Sequence, residues 1–526
     1  MARAFPLLLL LASRGTLAQD KPPGVPAIER ARSLGNPPDE AAKRARALES
    51  ISADSLKGHL SFLASDLLEG RDSPSRGLDL AAEYIAAQFR RAGLEAVGDD
   101  GYFQTADMTS VVNEVPGSRF TIAVEGRTIP VGFAEYSPIS APAAGLDVAA
   151  GAVVKVVPGA AAGLDPATVA GKVVLFELPD LRALAPGGPE IQAAQLLLMK
   201  LTRSRAALLV LVARAPRLLG QAGLGGRRLD DPESPGREPS PPFVGLSDPR
   251  LVAAFDALPP GLGPATASVH LPPATRRPAR LRNVVGLLRG SDPALRDTCV
   301  MVTAHYDHLG AWGPEGTDRI FNGANDDGSG TVSVIELASA FAALKDARPR
   351  RSVLFVTFFG EEKGLVGSRH YGRHPVVPVE KTVADVNLEL VGRTDDVEGP
   401  QRARASLTGF GYSEVSAVLT AAGAAEGVQV VKHPRNSDAF FPRSDNQALA
   451  DLGVPAHTLC VAFEYPDYHG AADHWDKVDY ANMARINRMV FRALLALADD
   501  PDEPKWDEAN PRAAKYLKAR KDRRGR

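Results

Sequence analysis

Between Arg282 and about Asp499 the chain alternates short apolar runs with longer amphipathic ones, and this pattern constrains the fold most. Val284 to Leu288, Cys299 to Thr303, Ser352 to Phe359, Val383 to Leu390 and His457 to Phe463 read as strands. Thr331 to Leu344 and Asn482 to Ala498 read as helices, the first turning Val334, Leu337, Ala338 and Phe341 to the core. Several strands are apolar nearly throughout, which suits an α/β fold with a mixed, mostly parallel sheet covered by helices on both faces. Upstream, Leu56 to Gly93 predicts two helices. The second puts Leu80, Tyr84, Ala87 and Phe89 near one face, with Gly93 as its stop.

Between Phe120 and about Pro278 the character changes. Short apolar runs, Phe120 to Val124, Val153 to Val157, Val173 to Phe176 and Ala206 to Val212, are separated by Gly/Pro-rich stretches. This predicts a separate β-rich domain inserted into the chain. At the N-terminus, Met1-Ala2-Arg3, an apolar run from Phe5 to Ala12 and Thr16-Leu17-Ala18 read as a secretory signal peptide, too short for a membrane helix. The expected organisation is a leader (1–18), a tether and helix (19–50), the first part of the α/β domain (51–118), the insert (119–279), the second part (280–499) and a flexible basic tail (500–526). No other run approaches the roughly 20 apolar residues of a membrane span. With 61 basic and 63 acidic residues, nothing advertises nucleic acid as a partner. Two cysteines, Cys299 and Cys460, cannot build a disulfide framework or a thiolate metal site; both fall in expected strands and read as small buried apolar groups.

Five places in the alternating region carry His, Asp or Glu at or after an expected strand, or before an expected helix. These are His305 with Asp307; Asp326 in the glycine-rich Asn322 to Gly330; Glu361 with Glu362; Glu389; and His469 in Tyr465-Pro-Asp-Tyr-His469. In an open α/β sheet the strand C-ends share one edge, where ligand sites form. Each place alone is a bland loop residue; their coincidence is the signal. Two histidines and three carboxylates make a ligand set for two zinc-like ions bridged by one carboxylate, with Asp326 the natural bridge. Asp307 is placed to hold the second ring nitrogen of His305. Of Glu361 and Glu362, one binds metal and the other exchanges protons with metal-activated water and a leaving amine.

At these residues the sequence resembles the M28 family of co-catalytic metallopeptidases. The matching stretches are His305-Tyr-Asp-His-Leu-Gly310, Asn322 to Gly330, Phe359-Gly-Glu-Glu-Lys-Gly-Leu-Val-Gly-Ser368, Asn387-Leu-Glu-Leu-Val-Gly392 and Tyr468-His469. Leu67-Leu-Glu-Gly-Arg71 and Ser444-Asp445 also look like family segments. The resemblance implies that His305 and Glu389 hold one zinc and Glu362 and His469 the other, with Asp326 bridging. It makes Glu361 the general base and Asp307 the residue that orients His305. The family usually has Asp where this chain has Glu389. A tyrosine that some members place three residues before Ser444 is here Phe441, so Tyr465 and Tyr468 become the candidate oxyanion donors, with Ser444 and Asp445 as further candidate substrate residues. The insert resembles a protease-associated domain through Ala170 to Phe176 and Ala206 to Val212.

The expectation is a secreted exopeptidase with two zinc ions per chain, an aminopeptidase acting on peptides. The alternatives are a glutamate-carboxypeptidase-like enzyme, for which Arg369, Arg393 and Arg443 are available, a glutaminyl-cyclase-like enzyme, and a non-catalytic receptor-like binding protein.

Overall fold

The computed structural model describes residues 38–180, 184, 188–216, 218–219, 226–234, 240–313 and 316–524. The expected leader, and all of the tether before the helix Pro38–Glu49, lie outside the described residues. Among the described residues, nine strands form one sheet in the order Gln429–Val431, Arg404–Leu407, Ala456–Cys460, Thr382–Leu388, Cys299–His305, Ser352–Phe358, Thr275–Leu288, Phe103–Val112, Arg228–Asp230. The four central strands, from Ala456 to Ser352 in that order, run parallel. The strands from Thr275 outward, and the pairing of the Arg404 strand with the Ala456 strand, are antiparallel. The sheet is therefore mixed, and the expected parallel character holds at its centre and in the edge pair of the Arg404 and Gln429 strands. Helical crossovers enforce it there, whereas a long hairpin-like ribbon builds one flank.

Alternation along the central strands explains the two covered faces. Val300, Val302 and Ala304 pack with the helices Ala53–Leu63, Arg76–Ala92, Ser329–Ala342, Val415–Glu426 and Tyr480–Asp499. Cys299 and Met301 point to the opposite face, against Tyr371, Leu449, Trp506 and Tyr516. Cys299 and Cys460 are free and buried. The helix Arg76–Ala92 ends at Gly93 in the left-handed conformation (φ 74°), as expected. Its buried face differs from the sequence reading, however. Leu78, Ala81, Ala82, Ile85, Ala86 and Phe89 are covered, while Leu80 is 40% exposed. Small alanines fill the seam, a signal easily lost beside a conspicuous leucine.

A second sheet of eight strands occupies residues 119–271, with Gly261–Leu271, Leu146–Val156, Val173–Phe176, Leu208–Val212 and Phe243–Leu246 adjacent in that order. The helices Pro189–Thr202 and Pro249–Ala257 pack on separate apolar clusters. The strand leading into this segment and the strand leading out pair along their length, from Phe103 against Val284 to Val112 against Thr275. The inserted segment also returns to the large sheet, where Arg228–Asp230 adds the edge strand beside Thr109–Val111. No described helix is long and apolar enough to cross a membrane.

The expected flexible tail is corrected. Trp506 is 2% exposed and donates from Nε1 to the Gly453 carbonyl at 2.9 Å. Tyr516, at the start of the helix Ala514–Arg524, stacks on it with ring centroids 5.0 Å apart. Proline and basic residues dominate the composition here, but two aromatic rings anchor the segment over the sheet face.

Candidate metal centre

The four parallel central strands end side by side, and their C-terminal ends deliver the charged residues. His305 closes the Cys299 strand, Glu361 and Glu362 follow the Ser352 strand, Glu389 follows the Thr382 strand, and His469 lies in the loop after the Ala456 strand. Asp326 enters from the loop before the helix Ser329–Ala342. This helix packs so closely that a side chain at Gly330 would strike the Leu388 carbonyl and the Asp327 carboxylate. Gly330 therefore sets the separation between the Asp326 loop and the end of the Glu389 strand.

The carboxylate of Asp326 lies between two groups. On one side His305 Nε2 is 3.4 Å from Oδ1, and ligand atoms of His305, Asp326 and Glu389 lie within 4.8 Å of one another. On the other, His469 Nε2 is 3.0 Å from Oδ2 and 3.5 Å from Glu362 Oε1. Ligand atoms of His308, Asp326 and Glu362 form a second close group. All five residues read from the sequence as metal ligands thus converge. His308 is an addition: it is fully buried, with Nδ1 2.8 Å from Glu362 Oε1 and 4.0 Å from Asp326 Oδ2. It stands three residues after His305 in the same motif, so its signal was present but unused.

Surrounding hydrogen bonds hold this geometry. Asp307 places its carbonyl 3.2 Å and its carboxylate 3.6 Å from His305 Nδ1, while the carboxylate also accepts from the Glu361 amide at 3.1 Å. Asp307 therefore positions His305 and the Glu361 loop together. Asp473 Oδ2 accepts from the amides of Asn325 and Asp326 and from the Tyr465 hydroxyl, at 2.9, 3.1 and 2.9 Å. Asp327 Oδ1 accepts from the Gly330 and Leu390 amides, and Asn325 Oδ1 from those of Gly392 and Arg393, tying the Asp326 loop to the Glu389 strand end. Arg71, 1% exposed, donates to the carbonyls of Leu63, Tyr306, Asn322 and Gly323. Sequence reasoning assigned no role to Arg71, Asn325 or Asp473; most of their partners are backbone groups far away in sequence, and nothing local announces them.

The candidate substrate residues are placed unequally. The Tyr465 hydroxyl is spent on Asp473, so it belongs to the network that holds Asp326 and is not a free oxyanion donor. Tyr468 stacks on His469, with centroids 4.1 Å apart and planes 20° apart. Ser444 accepts from Asn387 Nδ2 at 2.8 Å and hydrogen-bonds the Glu389 carboxylate. Asp445 is fully buried, and burial, against the nearby His305, pushes its carboxyl up to about 7.

Electrostatics separate the acidic residues. Although burial opposes ionisation, His305 and His469 hold Asp326 well below the usual carboxylate range. Burial likewise opposes ionisation of Glu362, and His469 and His308 lower it. Glu361 goes the other way: desolvation, aided by Glu389 and Glu362 and opposed by His305, raises it well above an ordinary glutamate. His469, against its desolvation, is held up to about 9 by Glu362 and Asp326.

The donor set fits divalent-cation binding. His305 Nε2 and Glu389 Oε2 are buried without a hydrogen-bond partner, an arrangement that costs free energy unless another electrophile engages the lone pairs. Imidazole nitrogen with carboxylate oxygen is the chemistry that suits zinc.

Fold and site together define a metallopeptidase architecture: a mixed sheet with His and carboxylate ligands gathered at the C-ends of its parallel strands. Residues 283–494 match the peptidase family M28 model, and the chain carries an M28 peptidase domain. A probable zinc metalloprotease from Pyrenophora teres f. teres is 29% identical over 246 residues, covering 43% of this chain and 50% of that protein. A probable glutamate carboxypeptidase from Zea mays is 24% identical over 274 residues, covering 46% and 34%. The chain thus spans half or less of the length of these two relatives. In fold it is similar to an aminopeptidase from Aneurinibacillus sp. strain AM-1, with a TM-score of 0.55 and 19% identity, covering 89% of this chain and 98% of that one.

Proposed function

We propose that this chain is an exported di-zinc exopeptidase, an aminopeptidase that removes N-terminal residues from peptides. One observation carries the reading: two groups of potential ligands share Asp326, with Glu361 beside them held in a raised-pKa state. His305 and Glu389 would hold one ion, Glu362 with His469 or His308 the other, and Asp326 both. When bound, such a pair polarises a peptide carbonyl and lowers the pKa of water from 15.7 to about 7. Glu361 takes the proton of the attacking water and returns it to the departing amine. Its raised pKa makes it a stronger base than an ordinary glutamate, and once protonated it can return the proton. Asp307 keeps the Glu361 amide and the His305 ring in fixed relation throughout. The inserted segment resembles a protease-associated domain and would flank the substrate cleft. Export rests on the leader composition.

Removal of acidic C-terminal residues would need open cations for the substrate carboxylates. Arg393 is already paired with Asp395 at 2.5 Å and Asp467 at 2.9 Å, which favours aminopeptidase chemistry, whereas Arg443, over the Phe440 ring at 4.3 Å, keeps its charge near His469 and is the cation that a carboxypeptidase would use. Hydrolysis of a peptide panel blocked at one end or the other tests this. Blocking the N-terminus should abolish cleavage while C-terminal amidation leaves it. The reverse pattern would establish a carboxypeptidase, cyclisation of N-terminal glutamine a cyclase, and no turnover by zinc-loaded protein a binding role.

A further inference from the structure

Away from the Asp326 cluster, a second kind of ligand group joins two distant parts of the chain. His370 and His374 are four residues apart, at the end of the helix Val366–Arg373, with ring centroids 4.8 Å apart. Glu233, three residues beyond the edge strand Arg228–Asp230, reaches across from the inserted segment and meets His374 Nε2 with Oε2 at 2.5 Å. One donor atom from each of the three lies within 4.8 Å of the other two.

Three details favour a cation here over a plain surface ion pair. First, the Nε2–H of His370 donates to the Thr105 carbonyl at 3.0 Å, which leaves the Nδ1 lone pair for a ligand. A histidine that binds metal nearly always donates its other ring nitrogen in this way. Second, the His370 side chain is buried, only 9% exposed, so its ring is held in a fixed orientation. Third, the backbone is pinned: Gln104 donates to the His374 carbonyl, and Arg373 pairs with Asp231 while lying 3.5 Å from Glu233. Asp231 and Glu233 outnumber the single Arg373, so the local charge favours a cation. His374 and Glu233 are each about half exposed (49% and 50%), leaving room for solvent to complete a tetrahedral shell.

We propose that His370, His374 and Glu233 form an additional divalent-cation site of zinc type, separate from the Asp326 cluster, which clips the inserted segment to the helix that follows Glu361 and Glu362. Two imidazoles and one carboxylate are a three-ligand zinc set, with water in the fourth position. A cation bound there stabilises only the docked arrangement, so its effect appears as a metal-dependent gain in stability.

The test uses the full chain, stripped with a chelator and titrated with Zn2+ alone by calorimetry, with thermal melts at each step. Wild type should take up one zinc per chain more than His374→Ala, and the last melting increment should vanish in that variant. Glu233→Gln, half-exposed and conservative in shape, should weaken the same step at least about tenfold, the loss produced even by removing an outer partner of a metal ligand. Both variants should keep peptide turnover, which separates this site from the peptidase reading. Equal zinc uptake and equal melts in wild type and both variants would overturn the proposal.

Discussion

Glu361 and Arg71 show how differently single residues serve the same centre. Glu361, the proposed base, has its pKa raised by desolvation and by neighbouring carboxylates, and would act as a base only when ionised. The rate should therefore fall as pH drops, with the decline starting above the range of an ordinary glutamate, near 4.3. Glu361→Gln should lower kcat by about 10²- to 10⁴-fold, the usual worth of a positioned general base, and flatten that acid limb. Zinc content measured on the same sample should stay at the wild-type level. Arg71 acts through structure. Burial lowers its pKa to about 10, against the pull of Asp307, Asp473, Asp326 and Asp327, so it stays cationic and supplies positive charge beneath a strongly acidic site. Arg71→Met would leave four buried carbonyls without their donor. The expected cost is about 3–5 kcal/mol in urea denaturation, as for other buried charges removed from their partners. A loss below about 1 kcal/mol would show that those carbonyls find water.

Among elements, the C-terminal segment departs most from expectation. Prolines and basic residues suggest a solvated tail, yet Trp506, Ala513 and Tyr516 lie in the cluster with Leu449, Val454 and Tyr371. Trp506→Ala should therefore cost about 3–5 kcal/mol, the range for deleting a buried aromatic, read as a drop in the chemical denaturation midpoint. A change near zero would mean that the segment is only laid on the surface. The helix Ser329–Ala342 shows the opposite case. Its apolar pattern was plain in the sequence, and the structure buries it almost all round. Helix and sheet then lock through Gly330, a contact that no periodicity encodes.

At the scale of the whole molecule, the ligand groups draw on loops from residue 305 to residue 469, and their support on a segment as early as Arg71. Metal removal should therefore affect the fold as well as the chemistry. Chelation should abolish peptide hydrolysis and lower the melting temperature, and added zinc should restore both. Full activity in protein shown to be metal-free would exclude the proposed mechanism. The inserted segment is bound into the same body by the ribbon from Phe103 to Val112 against Thr275 to Val284, and by the edge strand Arg228–Asp230. The sequence marked the inserted region's change of character, but an edge strand of three residues in a Gly/Pro-rich stretch carries no pattern strong enough to read.

The sequence by itself determined the local and the repetitive. Apolar runs located the central strands within one to three residues, Gly93 stopped its helix, and five chemically similar places at strand ends marked one edge of a sheet. Backbone propensity and burial periodicity are short-range properties, so a chain displays them without its fold. Only the tertiary structure decided which groups meet. It brought His308 onto Glu362, spent the Tyr465 hydroxyl on Asp473, placed Arg71 under the Asp326 loop and set Glu233 against His374. Those contacts join residues up to a few hundred positions apart. Hydrogen bonding and electrostatics act over a few ångströms of space whatever the separation in sequence, so spacing along the chain cannot encode them.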